Sequence, residues 1–136
     1  MVTFQLTDYQ IEAKKNSLKG TITCGSRVGY NTGAKEFSLE ETLTILDETN
    51  KQVTTQGLRA LPCIVTEGTL VGRSESGNYH ERVYILNFSQ SPRTEPIADS
   101  KFHESLLAYA QGMGKTMGQE RVYIDFNGQT EVLVKR

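Results

Sequence analysis

The order in which two side-chain periodicities alternate along this chain limits the folds that it can adopt. In some segments apolar residues recur at every second position, which is typical of strands, and in others they recur every three or four positions, which is typical of helices. From residue 21 onward the order is strand, helix, strand, strand, helix, strand, followed by one more short strand. This order predicts an antiparallel sheet with helices packed against it.

Local signals place both helices. Ser38 and Glu41 have the spacing of a capping box, in which each residue bonds a backbone N–H of the other. Gly57 is suited to end the first helix, and Asp99 is expected to cap the second. The apolar stripe predicted for the first helix is Leu39, Leu43, Leu46 and Val53. The stripe predicted for the second is Phe102, Leu106, Tyr109, Met113 and Met117.

The predicted strands are 21–30, 61–71, 79–89, 121–126 and 129–134, with a further extended segment at 2–13. Asn127-Gly128 is a strong signal for a two-residue hairpin turn. The β-α-β-β-α-β core predicts a ferredoxin-like antiparallel sheet with two helices on one face, extended by an N-terminal strand and a C-terminal hairpin strand. The 136 residues are expected to form a single α+β domain. Architecture of this kind does not specify a function.

Charge and hydropathy argue against two classes of partner. The formal net charge is −1, and the one basic cluster, Lys14, Lys15 and Lys19, is expected to be a solvated turn. Nucleic-acid binding is therefore not expected, since it draws its affinity from a basic surface. No window approaches the roughly 18 apolar residues of a spanning helix, and residues 1–6 lack the apolar core of a signal peptide. We expect a cytoplasmic protein without a membrane partner.

No cofactor or metal is predicted either. Gly112-Met113-Gly114-Lys115-Thr116 resembles the end of a phosphate-binding loop, but Tyr109 stands where the first glycine is required. His80 and His103 are far apart and lack metal-ligand spacing. Cys24 and Cys63 are expected to be free thiols, because the predicted sheet places another strand between theirs.

The central hairpin offers the candidate site. If its loop is centred so that Arg73 lies opposite His80, one face of the sheet carries Ile64, Thr66, Leu70, Val83 and Ile85, which suits packing under helices. The other face is also too apolar for water, and a second copy of the chain is expected to cover it. In that homo-oligomer, at least a dimer, the residues expected to become buried are Val65, Leu86 and Phe88.

Polar residues on that second face are the candidate functional groups. The candidate catalytic residues are Glu67 as general base or anion partner, His80 as proton carrier and Arg73 as carboxylate clamp. The candidate ligand-binding residues are Arg27, Thr69, Arg82 and Tyr84. Alternatively, Glu67 only pairs with an arginine while His80 ends the hairpin in solvent. The ligand expected for such a site is small and acidic.

Three functions follow from these observations. The first is a homo-oligomeric small-ligand-binding or regulatory module, favoured because no motif carries a mechanism. The second is a small cofactor-free isomerase, lyase or tautomerase with its site at a subunit interface, formed by Glu67, His80 and an arginine. The third is a purely structural interaction protein. A concave site that holds Glu67 would favour the enzyme.

Overall fold

The computed structural model describes residues 4–28, 35–91, 93 and 96–136. Its elements are β1 (Lys19–Gly25), α1 (Leu39–Thr55), β2 (Cys63–Ser74), β3 (Gly77–Ser89), α2 (Asp99–Thr116), β4 (Arg121–Phe126) and β5 (Gln129–Val134). The five strands form one antiparallel sheet in the order β2-β3-β1-β4-β5. The predicted α+β class is confirmed: two helices accompany an antiparallel sheet, and helices and strands follow one another in the predicted order.

The predicted N-terminal strand is not found in the part of it that the structure describes. Residues 4–18 contain no strand and pair with no other strand, and residues 2 and 3 lie outside the described ranges. Alternation of apolar residues gives a segment two faces, but a strand also needs a partner for its backbone groups. The first strand of the sheet is shorter than predicted at its end and stops at Gly25.

The two faces of the sheet are assigned the other way round from the sequence-based expectation. Tyr84, Leu86 and Phe88 are buried, and the Phe88 ring lies 4.5 Å from that of Tyr109 in α2. Ile64 is 71 % exposed on the open face. The helices thus cover the face with the larger side chains, because this removes more apolar surface from water. Leu86 and Phe88 are already buried within one chain, so the expected subunit interface at these residues is wrong.

The hairpin is also tighter than expected. Val71 lies opposite His80 and Arg73 opposite Asn78, so that only Glu75 and Ser76 form the turn. This register differs by two residues from the one with Arg73 opposite His80. A shift of two preserves the alternation of faces, and Glu67 therefore still shares a face with its cross-strand partner Tyr84.

The ends of α1 match the sequence, but its buried face is offset. Both hydrogen bonds of the Ser38–Glu41 capping box are present, and Gly57 ends the helix at φ +80°. Leu39 and Leu43 are largely exposed. The buried residues are Thr42, Leu46, Thr49 and Val53. Each buried threonine hydroxyl donates to the carbonyl four residues earlier, at 2.8 Å, so its burial leaves no unpaired polar group.

The apolar stripe of α2 is confirmed, since all five of its predicted members are fully buried. Its N-cap is Ala98 rather than Asp99, which is the first helical residue. Gly20 in β1 permits close approach of this helix, because a Cβ at that position would lie 2.4 Å from a methyl group of Leu106. Cys24 and Cys63 are both free thiols, as predicted.

Candidate functional site

Three charged side chains meet where the β2–β3 hairpin passes the end of β1. Arg82 Nε lies 2.9 Å from Glu67 Oε1, and Arg82 Nη1 lies 3.5 Å from Glu36 Oε1. We call Glu36, Glu67 and Arg82 the Arg82 cluster. Its two carboxylates and one guanidinium leave a local net charge of −1 when all three are ionised.

The two strands of the hairpin bring Glu67 and Arg82 together. Glu67 lies opposite Tyr84, and Arg82 lies opposite Thr69, so the ion pair runs diagonally across neighbouring pairs on the helix-covered face. Diagonal neighbours on one face are within reach of long side chains. The arginine that pairs with Glu67 is therefore Arg82.

Glu36 reaches the cluster from the segment that leads into α1. Its backbone forms an isolated bridge with Arg27, and its Oε1 accepts a hydrogen bond from Ser26 Oγ at 3.0 Å. Ser26 in turn donates its backbone N–H to the carbonyl of Arg82 at 3.1 Å and accepts from the N–H of Phe37 at 2.6 Å. The exit of β1 thus fixes the Glu36 carboxylate beside Arg82.

Tyr84 lies fully buried next to the cluster. Its hydroxyl donates a 2.6 Å hydrogen bond to the carbonyl of Phe37. Burial raises the pKa of the Tyr84 hydroxyl, and the nearby Glu67 carboxylate raises it further. The phenol therefore remains protonated, and its role is to hold the start of α1 against β3 rather than to transfer a proton.

The cluster itself is open to solvent. The side chains of Glu36, Glu67 and Arg82 are 42 %, 43 % and 49 % exposed. An ion pair with this exposure contributes about 0.2–1 kcal/mol to stability, so its groups can exchange partners with a ligand at little expense. Beside it, Lys35 pairs with Glu41 at 2.8 Å, and the pKa of the Glu41 carboxyl is lowered chiefly by that hydrogen bond.

The other candidate residues are placed further from Glu67. His80 is exposed and lies four residues along β3 from Tyr84, about 13 Å at the usual rise per residue. Arg73 lies six residues along β2 from Glu67, about 20 Å, where its Nη1 donates to Asn78 Oδ1 at 2.9 Å. Within one chain, Thr69, Arg82 and Tyr84 adjoin Glu67, whereas His80 and Arg73 do not.

Glu36 and Ser26 are the residues that sequence reasoning missed. Glu36 stands two residues before the capping serine of α1, and its contact with Arg82 joins positions 46 residues apart in the sequence. Its exposed position beside a helix start gives no periodic signal. Arg27, which was a candidate ligand-binding residue, contributes its backbone to the bridge that positions Glu36.

Two open cavities lie at the opposite end of the sheet, around the β4–β5 turn. One of about 350 Å³ is lined by Lys19, Asp125 and Thr130 among others. Another of about 270 Å³ is lined by residues that include His103 and Glu131, whose side chains are in contact. Neither cavity contains a candidate site residue, whereas the Arg82 cluster contains both Glu67 and Arg82.

Metal-ligand clusters and membrane-spanning helices are both absent from the part of the chain that the structure describes. No group of three or more histidine, cysteine or acidic side chains there is arranged to hold a metal ion. No helix in the described ranges is long and apolar enough to cross a membrane.

Comparison with known proteins identifies structural neighbours only. No family model matches the chain, and no curated protein matches its sequence. A phage SAM lyase in complex with S-methyl-5′-thioadenosine is similar with a TM-score of 0.62 and 13 % identity, over 93 % of this chain and 97 % of that chain. A phage SAM lyase in the apo state is similar with a TM-score of 0.61 and 15 % identity, over 94 % and 98 %. The chain therefore shares its fold with these two solved structures.

Proposed function

We propose that this chain is a small lyase that acts on a sulfonium nucleoside of the S-adenosylmethionine type, with its site at the Arg82 cluster. One observation carries the proposal: Arg82 is held between two half-exposed carboxylates on a fold whose solved neighbours are SAM lyases. Of the functions expected from the sequence, this is the lyase alternative. Because the likeness extends nearly from end to end of both chains, it includes the strands that carry the cluster.

The charges of the cluster suit such a substrate. S-adenosylmethionine carries a sulfonium, an α-ammonium and an α-carboxylate, so its net charge is positive. A guanidinium binds a carboxylate through two parallel hydrogen bonds, which assigns the substrate carboxylate to Arg82. Glu36 and Glu67 then face the two cationic groups. The small acidic ligand expected from the sequence is thus replaced by one with a net positive charge.

The bond changes require neither water nor a redox partner. The C–S bond to the aminobutyrate arm breaks, and its electron pair stays on sulfur, which leaves S-methyl-5′-thioadenosine as a neutral thioether. As that bond breaks, the arm either closes a ring by attack of its own carboxylate oxygen on the carbon that leaves sulfur, or loses a proton from the adjacent carbon and forms a carbon–carbon double bond. Ring closure needs Glu67 only to hold the ammonium, whereas elimination needs Glu67 as the base.

We further propose that the site lies at an interface between copies of the chain. The cluster is open to solvent, and His80 and Arg73 extend along the hairpin away from their own Glu67. From a neighbouring copy these two residues would reach the cluster as proton carrier and second cation. A cytoplasmic location and the absence of nucleic-acid partners remain predictions.

The test is to incubate the purified protein with S-adenosylmethionine and to quantify S-methyl-5′-thioadenosine by liquid chromatography and mass spectrometry. We expect product with the parent chain. If the reaction is an elimination with Glu67 as the base, Glu67→Gln should form product at least about a hundredfold more slowly. Glu75→Gln, in the exposed hairpin turn, is the matched control and should retain the parent rate. The identity of the aminobutyrate product separates ring closure from elimination.

Calorimetric titration with S-adenosylmethionine and S-methyl-5′-thioadenosine distinguishes the other functions. Binding without turnover would favour the ligand-binding or regulatory module. If the parent chain neither binds these compounds nor converts S-adenosylmethionine, the proposal is rejected. Glu67→Gln should unfold within about 1 kcal/mol of the parent, which excludes misfolding as the reason for lost activity.

A further inference from the structure

The segment before β1 leaves four large apolar side chains in water. Phe4 is 85 % exposed, Leu6 53 %, Tyr9 83 % and Ile11 73 %. All residues from 4 to 13 are exposed. We call residues 4–13 the N-terminal arm. Apolar surface concentrated in this way on a chain marks a site of contact with another molecule.

The arm has the pattern of a strand without a partner. Phe4 and Leu6 flank Gln5, and Tyr9 and Ile11 flank Gln10, with a bend at residues 7–8 between the two halves. Side chains two apart lie on one face of a strand. In the described part of the chain, the arm pairs with no strand of the sheet.

Among the described residues, the edge strand β2 has a strand partner on one side only, so its outer backbone groups are free to pair with the arm. β2 is an edge strand of 12 residues, and between Cys63 and Gly72 it contains a single charged residue, Glu67, and no proline. Native edge strands are normally protected by charges, prolines or short length. Ile64 and Val71 are 71 % and 64 % exposed on its two faces. The other edge strand, β5, has only 6 residues and is followed at once by Lys135.

We propose that the N-terminal arm of one copy adds as a strand to the free edge of β2 in a second copy. The backbone groups of both segments would then be paired, and alternate arm side chains would cover the exposed apolar residues of β2. A second copy is the partner because β3 separates β2 from β1, where the arm originates, and the arm is not docked on the β2 of its own chain.

The surface available is sufficient for a stable complex. Two aromatic and two aliphatic side chains this exposed present roughly 500 Å² per arm. A stable interface takes about 800 Å² from each partner. Exchange of arms makes every copy contribute both its own arm and the β2 edge that another arm covers, so each copy buries more than the area of one arm. The arm interface is inferred from the exposure of the arm and the free edge of β2 alone, and a lack of lyase activity would not overturn it.

The test compares the sedimentation of variants at micromolar concentration. The parent chain should sediment as a species larger than the 15.2 kDa monomer. Phe4→Ser combined with Tyr9→Ser should give monomer, whereas the matched control Gln5→Ser with Gln10→Ser should not. Ile64→Lys, which places a charge on the edge strand, should also give monomer. All these side chains are exposed, so the variants should keep the parent fold.

Hydrogen exchange of the β2 amides that point away from β3 gives an independent readout. Their protection should increase with protein concentration and be lost in the arm variant. A monomeric parent chain would overturn the proposal. An oligomer that persists after the arm substitutions would also overturn it, because the interface then lies elsewhere. Protection that does not depend on concentration would overturn it too, because the arm then docks on its own chain.

Discussion

Gln119 joins the turn after α2 to the exit of β1, and its removal tests how the site is held. Its Nε2 donates to the carbonyl of Arg27 at 2.7 Å and to that of Met117 at 3.2 Å. Its Oε1 accepts from the N–H of Gly25 at 3.0 Å. The backbone held in this way continues into Ser26, which bonds the Glu36 carboxylate.

Gln119→Leu keeps the side-chain volume and removes all three hydrogen bonds. An unpaired backbone group costs about 1–3 kcal/mol when it is buried. The Gly25 N–H and the Arg27 carbonyl are only partly buried, so water replaces part of the lost hydrogen bonding. We therefore expect a loss of about 2 kcal/mol in the free energy of unfolding. For a domain of this size, that loss lowers Tm by roughly 6–10 °C.

Urea denaturation and thermal melting measure the effect. The midpoint should fall while the dependence on urea concentration stays unchanged, because the surface exposed on unfolding is the same. Gln129→Leu, at an exposed position of β5, is the matched control and should differ by less than about 0.5 kcal/mol. If Gln119→Leu melts within about 1 °C of the parent, the hydrogen bonds carry no net stability and the reasoning is refuted.

Three further changes have outcomes fixed by the structure. Tyr84→Phe leaves the buried carbonyl of Phe37 without its hydrogen-bond donor and should lower the free energy of unfolding by about 1–3 kcal/mol in urea titration. Gly57→Ala should lower it by about 1 kcal/mol through backbone strain alone, since φ is +80° and no atom lies within 4 Å of the added Cβ. Burial raises the pKa of the Cys24 thiol from 9.0 to about 12. The pKa of this thiol is higher in the folded than in the unfolded state. Its contribution to the free energy of unfolding is therefore fully present below pH 9 and is lost between pH 9 and pH 12, by at most about 1.4 kcal/mol per pH unit. Cys24→Ala should make the pH dependence of urea midpoints shallower, and an unchanged slope would contradict this assignment.

Features that depend on a few neighbouring residues could be predicted from the sequence. The capping box at Ser38 and the ends of β4 and β5 around Asn127-Gly128 follow from contacts within one turn. The α2 stripe follows from a single periodicity, since each of its members is apolar and fully buried. The pattern of α1 was misjudged because two buried positions belong to Thr42 and Thr49, whose hydroxyls are satisfied locally.

Features that depend on distant contacts could not be predicted in full. Alternation along β3 defines two faces, but only the packing of α2 on Phe88 determines which face is covered. The pairing of Glu67 with Arg82 could be predicted, because both residues lie on one hairpin and stay on the same face of the sheet when the register shifts by two residues. The role of Glu36 could not be predicted, because a bridge to Arg27 positions it and the sequence between these two residues has no apolar periodicity.

The central place of β1 has a consequence for how the chain folds. Thr21 of β1 pairs with Asn87 on one side and with Asp125 on the other. Both neighbours of β1 come later in the sequence, so during synthesis β1 lacks them until α1, β2 and α2 have also been made. The β2–β3 and β4–β5 hairpins are local and form within microseconds, but the sheet closes only when β1 enters between them. Contacts of such long sequence separation slow folding. Ile22 and Cys24, two of the buried residues of β1, should thus be among the last to acquire hydrogen-exchange protection during refolding.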